Sequence, residues 1–428
     1  MASSFRARRR ERAALVGLTS GSSVRRLDAE RSMDELAGLA RAAGADVALR
    51  VLQERARPDA ATFLGSGKIA ALALACDEAA VDLVVFDNEL TPAQLREIES
   101  RVGRMVVDRT QLILDIFAAR ARTREGKLQV ELAQLRYLLP RLVGSREALS
   151  RLGGGIGTRG PGETKLETDR RRIRQRLGAI GREIELVRRR RAQLRERRRK
   201  TSMPTVALVG YTNAGKTTLF NTLTRGTAEV SDALFVTLDP LVRRVSGAER
   251  RTLLLSDTVG FIDRLPHALV AAFRATLEEV AEADLLLHVV DAASPAVEAR
   301  MAAVRRVLEE VDAAEVPVIE VMNQCDRLVE PERRRLEQGY PEAWFVSALT
   351  GAGCHDLLEA IASRLALDTC RVTIDFDPGR EADRERIQQL YRHARVLGHI
   401  ARNGRVSIEA DVPRRLLSRF LPEEVSVP

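Results

Sequence analysis

Eight consecutive residues, Gly210-Tyr211-Thr212-Asn213-Ala214-Gly215-Lys216-Thr217, have the types and spacing to hold a phosphate chain. They follow the apolar run Val206-Ala207-Leu208-Val209 and lead into Leu219-Phe220-Asn221-Thr222-Leu223, which places a glycine loop between a strand and a helix. In that setting the glycines let backbone N–H groups close around phosphate oxygens. The helix start adds a favourable dipole, Lys216 a positive charge and Thr217 a hydroxyl for Mg²⁺.

A phosphate loop alone does not choose a base. Asn323-Gln324-Cys325-Asp326 does, because it follows the strand run Pro317 to Met322. A carboxylate at Asp326 can accept the N1–H and exocyclic amine of guanine. Adenine presents an N1 acceptor instead and would leave the carboxylate desolvated and unpaired. Asn323 is expected to tie this loop to the phosphate loop. Ser347-Ala348-Leu349, after Trp344-Phe345-Val346, fits a turn whose backbone N–H meets guanine O6.

Two further segments fit the γ-phosphate end. Asp257-Thr258-Val259-Gly260 ends the run Leu253 to Ser256, where Asp257 can hold Mg²⁺ through water and the Gly260 N–H can sense the γ-phosphate. Phe235-Val236-Thr237-Leu238-Asp239 carries Thr237 as a second hydroxyl for the metal. The expected metal set is Thr217, Thr237 and Asp257, and the expected catalytic set Lys216, Thr237 and Gly260. Segments that meet the γ-phosphate only in the triphosphate state form a switch. Phe261 stands where a glutamine often orients the attacking water; phenylalanine cannot, so slow intrinsic hydrolysis accelerated by a partner is expected. The Asn213 amide oxygen is a candidate to hold K⁺ against the phosphates.

These loops need a scaffold. Apolar runs at 205–209, 252–257, 284–290, 317–322 and 343–347 alternate with helical stretches, predicting a doubly wound, mainly parallel sheet in a nucleotide domain at 202–370. Residues 1–120 alternate strands (Ala13 to Leu18, Val47 to Leu52, Asp82 to Phe86) with amphipathic helices (Met33 to Ala43, Lys68 to Cys76, Pro92 to Arg101), an N-terminal α/β domain. Gly65-Ser66-Gly67-Lys68 reads as a helix-opening turn rather than a second phosphate loop. Leu128, Leu132, Leu135, Leu139 and Leu142, then Ile173, Leu177, Ile180, Ile184 and Val187, recur at heptad spacing and predict an antiparallel helical hairpin at 121–201. Gly178 and Gly181 are expected to let the second helix bend. The hairpin tip, about 143–165, contains Gly153-Gly154-Gly155-Ile156-Gly157-Thr158-Arg159-Gly160-Pro161-Gly162 and can bring bare backbone close to a surface. Arg151, Gly154, Gly155, Arg159, Gly160 and Lys165 are the candidate RNA contacts there. Residues 371–428 form a small C-terminal domain, with a strand at Val372 to Phe376 and a basic helix at Arg384 to Ala394.

Charge placement points to the same partner. The chain has 428 residues and a net charge of +9. Arg170 to Lys200 alone holds fifteen Lys/Arg against three Asp/Glu, or +12, so the rest of the chain sums to −3. A local excess of this kind is the footprint of an anionic partner, here RNA. A lone tryptophan and few aromatics argue against base stacking as the main contact. Four cysteines without a C-x-x-C pair fit free thiols in a reducing compartment. No apolar run approaches the roughly 18 residues of a membrane span. The Arg-rich start, Arg6 to Arg12, has the composition of a transit peptide, but a strand follows at once, so a basic arm on a cytoplasmic protein is expected.

The chain resembles the HflX family of ribosome-associated bacterial GTPases. The resemblance rests on Gly65 to Lys68; Asp108-Arg109-Thr110 with Leu112 to Phe117; Glu125 to Leu135; Gly160-Pro161-Gly162-Glu163-Thr164; Thr237-Leu238-Asp239-Pro240; and Asp257 to Ile262. It implies GTP-dependent binding to the large ribosomal subunit and its rRNA, splitting or rescue of stalled ribosomes under stress, and hydrolysis stimulated by the ribosome. It would put the glycine-rich tip near the peptidyl-transferase centre. A monomer is expected off the ribosome. Two rival readings remain: a ribosome-assembly GTPase, and an RNA-binding regulator with incidental turnover. Gln324 stands where guanine-binding loops usually have lysine, so weaker base affinity is expected.

Overall fold

A computed structural model describes residues 10–19, 23–142, 165–200, 203–230, 234–235, 237–238, 241–246, 252–262, 279–366, 369–402, 404–413 and 416–420. Arg6, Val236, Asp239 and the tip residues Arg151, Gly154, Gly155, Arg159 and Gly160 lie outside the described residues; of Lys165 only the backbone is described, opening a helix.

The N-terminal unit runs β1 (Arg12–Thr19), α1 (Ser23–Ala42), β2 (Asp46–Glu54), α2 (Ser66–Glu78), β3 (Leu83–Phe86), α3 (Pro92–Val102), β4 (Met105–Asp108) and α4 (Arg109–Arg120). Its four strands lie in the order β2-β1-β3-β4, all parallel. Strands buried on both faces must be apolar at nearly every position, which is why these runs are short and unbroken. Alternate residues serve alternate faces: Ala14, Val16, Val84, Phe86 and Val106 join the cluster of α2 and α3, whereas Ala13, Leu15, Leu83, Val85 and Val107 join that of α1 and α4. The start of α3 is a capping box, with Thr91 accepting from the Gln94 N–H and Pro92 inside the first turn. Gly65 opens α2 with ordinary extended backbone.

The hairpin is α5 (Arg124–Leu138), a 3₁₀ turn over Leu139–Leu142, and α6 (Lys165–Lys200). Leu128, Leu132, Leu135 and Leu142 pack against Ile173, Ile180 and Ile184. Arg124 bonds Glu183 at 2.8 Å and Arg176 grips Glu131 through two bonds of 2.7 Å, a descending register that makes the pair antiparallel. α6 runs through Gly178 and Gly181 as one continuous helix, because helix–helix packing offsets the roughly 1 kcal/mol cost of each interior glycine.

The nucleotide unit follows as β5 (Thr205–Val209), α7 (Lys216–Thr224), β6 (Leu241–Ser246), β7 (Thr252–Asp257), β8 (Leu285–Asp291), α8 (Val297–Glu310), β9 (Val318–Asn323), α9 (Glu330–Gly339), β10 (Trp344–Phe345) and α10 (Cys354–Ala366). The strand order is β10-β9-β8-β5-β7-β6, parallel except for β6 against β7. The strand order reverses between β5 and β8, which opens a crevice at the carboxyl ends of these two strands. Edge strand β6 is not evident in the sequence, since Leu241-Val242-Arg243-Arg244-Val245-Ser246 carries two charges in a row. β10 spans two residues rather than the expected five.

The C-terminal unit is β11 (Thr369–Phe376), α11 (Glu381–His393), β12 (Arg395–Arg402) and β13 (Arg405–Pro413), an antiparallel sheet in the order β11-β13-β12. Ile374, Phe376, Leu390, Ile408 and Val412 form its core. The helix expected to be basic begins three residues earlier, at Glu381, and its first turn is acidic, which suits the positive end of the helix dipole.

Candidate guanine-nucleotide site

The phosphate loop leaves β5 through Gly210 and enters α7 through Gly215. Both glycines are required. A Cβ at Gly210 (φ +153°) would stand 2.2 Å from the Val289 carbonyl oxygen, and one at Gly215 (φ +87°) 2.3 Å from Asn323 Nδ2. The loop closes around Lys216, whose Nζ donates to the carbonyls of Gly210 (3.0 Å) and Tyr211 (2.8 Å). Burial pulls Lys216 down to about 8, and the nearby Asp257 carboxylate opposes the shift.

Three segments far apart in sequence meet at the metal set. Thr217 Oγ1 is 2.8 Å from Thr237 Oγ1 and 2.8 Å from Asp257 Oδ2, and the Thr237 hydroxyl donates to the same oxygen at 3.2 Å. Burial pushes the Asp257 carboxyl above the usual carboxylate range, while Lys216 and the two hydroxyls pull it back. Among the described residues, two buried polar atoms at this end find no hydrogen-bond partner: Asp257 Oδ1 and Thr212 Oγ1. An unpaired carboxylate oxygen beside two threonine hydroxyls fits Mg²⁺, an ion that keeps several waters and is held by few protein groups plus phosphates. Among the described residues no cluster of three or more His, Cys, Asp or Glu offers an all-protein cage.

The Asp257–Gly260 segment is stitched to the phosphate loop. Thr212 N–H donates to the Phe261 carbonyl (2.7 Å) and Phe261 N–H to that of Gly210 (3.1 Å). Gly260 faces the cavity, against Thr212 and Lys216. The Phe261 ring, 1% exposed, belongs to the core and reaches no reacting atom.

At the base end, Asn323 Nδ2 donates to the Ala214 carbonyl (2.8 Å) and its Oδ1 accepts the Ala348 N–H (2.9 Å), so one side chain joins three loops. Ser347 donates its hydroxyl to Asp326 Oδ1 at 2.6 Å, fixing the carboxylate. Gln324 donates to the Asn213 carbonyl (3.0 Å), and Arg327 donates to Gln324 Oε1. Arg327 therefore brings a positive charge to the cavity that Gln324 lacks.

A cavity of 450 Å³ joins the two ends. Of the residues expected to bind nucleotide, it is lined by Thr212, Asn213, Gly215, Lys216, Thr217, Phe235, Thr237, Thr258, Gly260, Asn323, Gln324, Asp326, Ala348 and Leu349. The side chains of Ala214, Leu238 and Val259 turn into the cores instead, and Cys325 bonds the Met322 carbonyl. Adjacent residues of a tight loop cannot all face one way. Asp257 and Ser347 act from behind the lining, on the threonines and on Asp326. Tyr211 points away altogether, its hydroxyl 2.6 Å from Glu35 of α1 and its ring under Arg300. Thr218, Val230 and Arg327 line the cavity without having been expected. Thr218 and Arg327 adjoin motif residues; Val230 has no signal in the sequence.

A glycine loop with its lysine, two threonines converging on an aspartate, and an Asn/Asp pair lining the far end of the same cavity together make this a P-loop GTPase fold and site. Family models agree: "GTP-binding GTPase N-terminal" matches residues 30–118, "GTP-binding GTPase Middle Region" 120–198, and "50S ribosome-binding GTPase" 205–324. The chain belongs to the GTPase HflX family and hydrolyses GTP to GDP and phosphate. It is 45% identical to GTPase HflX of Caldanaerobacter subterraneus over 97% of this chain and 94% of that one. It is 46% identical to GTPase HflX of Escherichia coli over 89% of each. A solved GTP-binding protein of Sulfolobus solfataricus, in complex with GDP, is 23% identical over 82% of this chain and 98% of that one, with a TM-score of 0.44.

Proposed function

We propose that the chain binds the large ribosomal subunit in its GTP form, splits or rescues stalled ribosomes under stress, and lets go after hydrolysis. The observation that carries this reading is the junction of Thr217, Thr237 and Asp257, which links the phosphate loop, the switch segment and the Asp257–Gly260 segment through one carboxylate. A γ-phosphate arriving there meets both segments at once.

The chemistry divides among named residues. Lys216 places its charge on the β- and γ-phosphates. Thr217 and Thr237 would hold Mg²⁺ through their hydroxyls and Asp257 through water, and the ion would supply charge neutralisation at the phosphates. The Gly260 N–H donates to the γ-phosphate. Phe261, buried, leaves the attacking water to be oriented by a partner, and the ribosome is that partner. The Asn213 amide oxygen would hold K⁺, which would supply positive charge against the phosphates; equal rates in K⁺ and Na⁺ would reject this.

RNA binding falls to the hairpin. One stripe of α6 is buried against α5, and its exposed arginines, among them Arg174, Arg182 and Arg190, face outward. The 205–324 match to a 50S ribosome-binding family model supports the large subunit as the particle. We assign four domains, 1–120, 121–201, 202–370 and 371–428, with the tip at about 143–165 contacting rRNA. The test is sedimentation of ribosomes, mature and precursor large subunits with GTP, a non-hydrolysable analogue and GDP. Co-migration with mature large subunits in the triphosphate forms only is expected; equal co-migration in all three states would overturn the reading.

A further inference from the structure

We propose that Gln324 and Arg327 together replace the lysine usual in guanine-binding loops, with Arg327 covering the face of the base and Gln324 positioning it. The inference rests on the reading of Asn323 and Asp326 as the base end of the site.

A lysine at position 324 would do two things: tie the loop down with its stem over the base, and bring a positive charge. Here the two tasks are divided. Gln324 uses both ends of its amide on neighbours. Its Nε2 donates to the Asn213 carbonyl at 3.0 Å, and its Oε1 accepts from Arg327. The backbone is set for this exchange. Gln324 has φ +65° and Asn213 φ +62°, both in the left-handed region that residues other than glycine seldom occupy. Such conformations persist where the surroundings hold them, and the Gln324–Asn213 bond joins the two. A 3₁₀ turn over Cys325–Arg327 follows, closed by the Arg327 N–H on the Gln324 carbonyl at 3.0 Å. Side chains three apart in such a turn stand over one another, which is how Arg327 reaches the glutamine. Lys216 and Arg327 are the two cations among the described residues that line the cavity, and Lys216 is held at the phosphate end by the carbonyls of Gly210 and Tyr211. The charge of Arg327 is not used up by its surroundings. Its acidic neighbour Asp291 is 3.9 Å away and is shared with Arg300, at 3.4 Å. One carboxylate between two guanidinium groups does not neutralise both. A guanidinium is flat, weakly hydrated and stacks on aromatic rings, and a purine held by Asp326 presents such a ring. The weaker base affinity expected from Gln324 alone is therefore offset by Arg327.

The test is a set of Kd values measured on the full chain. Arg327→Ala is expected to raise the GDP Kd about tenfold, the loss of a cation stacked on a partly desolvated ring. The same factor is expected for GMP and for a non-hydrolysable GTP analogue, because the base is common to all three. The Arg327 side chain is 59% exposed, so its removal takes nothing from a core, and the melting temperature without nucleotide is expected to stay at that of the parent. Gln324→Ala frees Arg327 and is expected to weaken binding by a similar factor. The double variant is expected to bind no worse than either single one, since the two side chains act as a unit. Gln324→Lys in the Arg327→Ala protein is expected to recover the parent Kd, because one lysine then does both tasks. An unchanged Kd in Arg327→Ala overturns the proposal. So do additive losses in the double variant, failure of Gln324→Lys to recover binding, or a loss that grows with the number of phosphates, which would assign Arg327 to the phosphate chain. Asp326→Ala is measured alongside. If it keeps the parent GDP Kd, the reading of the base end is at fault; if it loses affinity while Arg327→Ala keeps it, the role of the Gln324–Arg327 pair alone is wrong.

Discussion

Lys216 shows how one buried charge makes nucleotide binding depend on pH. Its ammonium titrates near 8 in the protein rather than at the usual 10.5, because burial disfavours the charged form. Phosphate oxygens favour that form, so binding above pH 8 takes up a proton. Affinity for GDP is expected to weaken as pH rises past about 8, approaching tenfold per unit. Titration calorimetry at pH 8.5 in two buffers of different ionisation heat measures the uptake, and equal heats would refute it. Stability without nucleotide runs the opposite way. The folded value lies below the unfolded one, so the cost of the buried charge is full below pH 8 and vanishes as pH climbs to 10.5. His288 behaves similarly at acid pH: burial in β8, with Arg305 and Lys216 nearby, lowers it to about 4 from 6.5. It is neutral in both states above 6.5, and stability is lost as pH falls from 6.5 to 4, by about 3 kcal/mol. Denaturant midpoints across that range should flatten in His288→Gln; an unchanged slope would assign the loss to other groups.

At the scale of elements, the proposed role of the hairpin separates stability from binding by face. Ile180 is fully buried between α5 and α6, so Ile180→Ala should cost about 2–4 kcal/mol and lower the melting temperature without changing the GDP Kd. A melting temperature within a degree of the parent would show that the two helices do not pack as described. The outward arginines do the reverse. Replacing Arg174, Arg182 and Arg190 with glutamine should leave melting unchanged while reducing the salt dependence of large-subunit binding by about two to three counterions. Identical slopes in log Kd against log salt would move the RNA contact elsewhere. Heptad spacing shows these faces in the sequence, because buried leucines and isoleucines recur whatever the partner. The glycines at 178 and 181 do not interrupt α6, since propensity is local and packing overrides it.

For the molecule as a whole, the consequential feature is that α1 and α4 are shared. They cover one face of the N-terminal sheet and also supply the apolar cluster that takes in Val259, Phe261, Ile262 and Leu286 of the nucleotide unit. Two units with a common core unfold together, so calorimetry should show a single transition for both, raised by GDP, with the C-terminal sheet and its own core free to melt separately. A chain truncated to 202–428 should bind a hydrophobic dye and melt at lower temperature than the full chain. Two resolved transitions for residues 12–120 and 205–366, only one of them shifted by GDP, would argue against the shared core.

The amino-acid sequence by itself determined where the motifs of the site fall: each occupies a short loop at a strand end, where spacing and residue type suit a phosphate, a metal or a base. It also determined the alternation of elements, because burial imposes period two on strands and 3.6 on helices. It did not show that Phe261 is a core residue, that Tyr211 turns away from the nucleotide, or that Arg327 joins the base end. Edge strands β6 and β12 were hidden for a related reason. Edge strands face water on one side and carry arginines, so their pattern is diluted. Which way a loop side chain points depends on what packs behind it. That was decided only in three dimensions, where residues more than a hundred positions apart, Phe117 and Phe235 or Glu35 and Tyr211, come into contact.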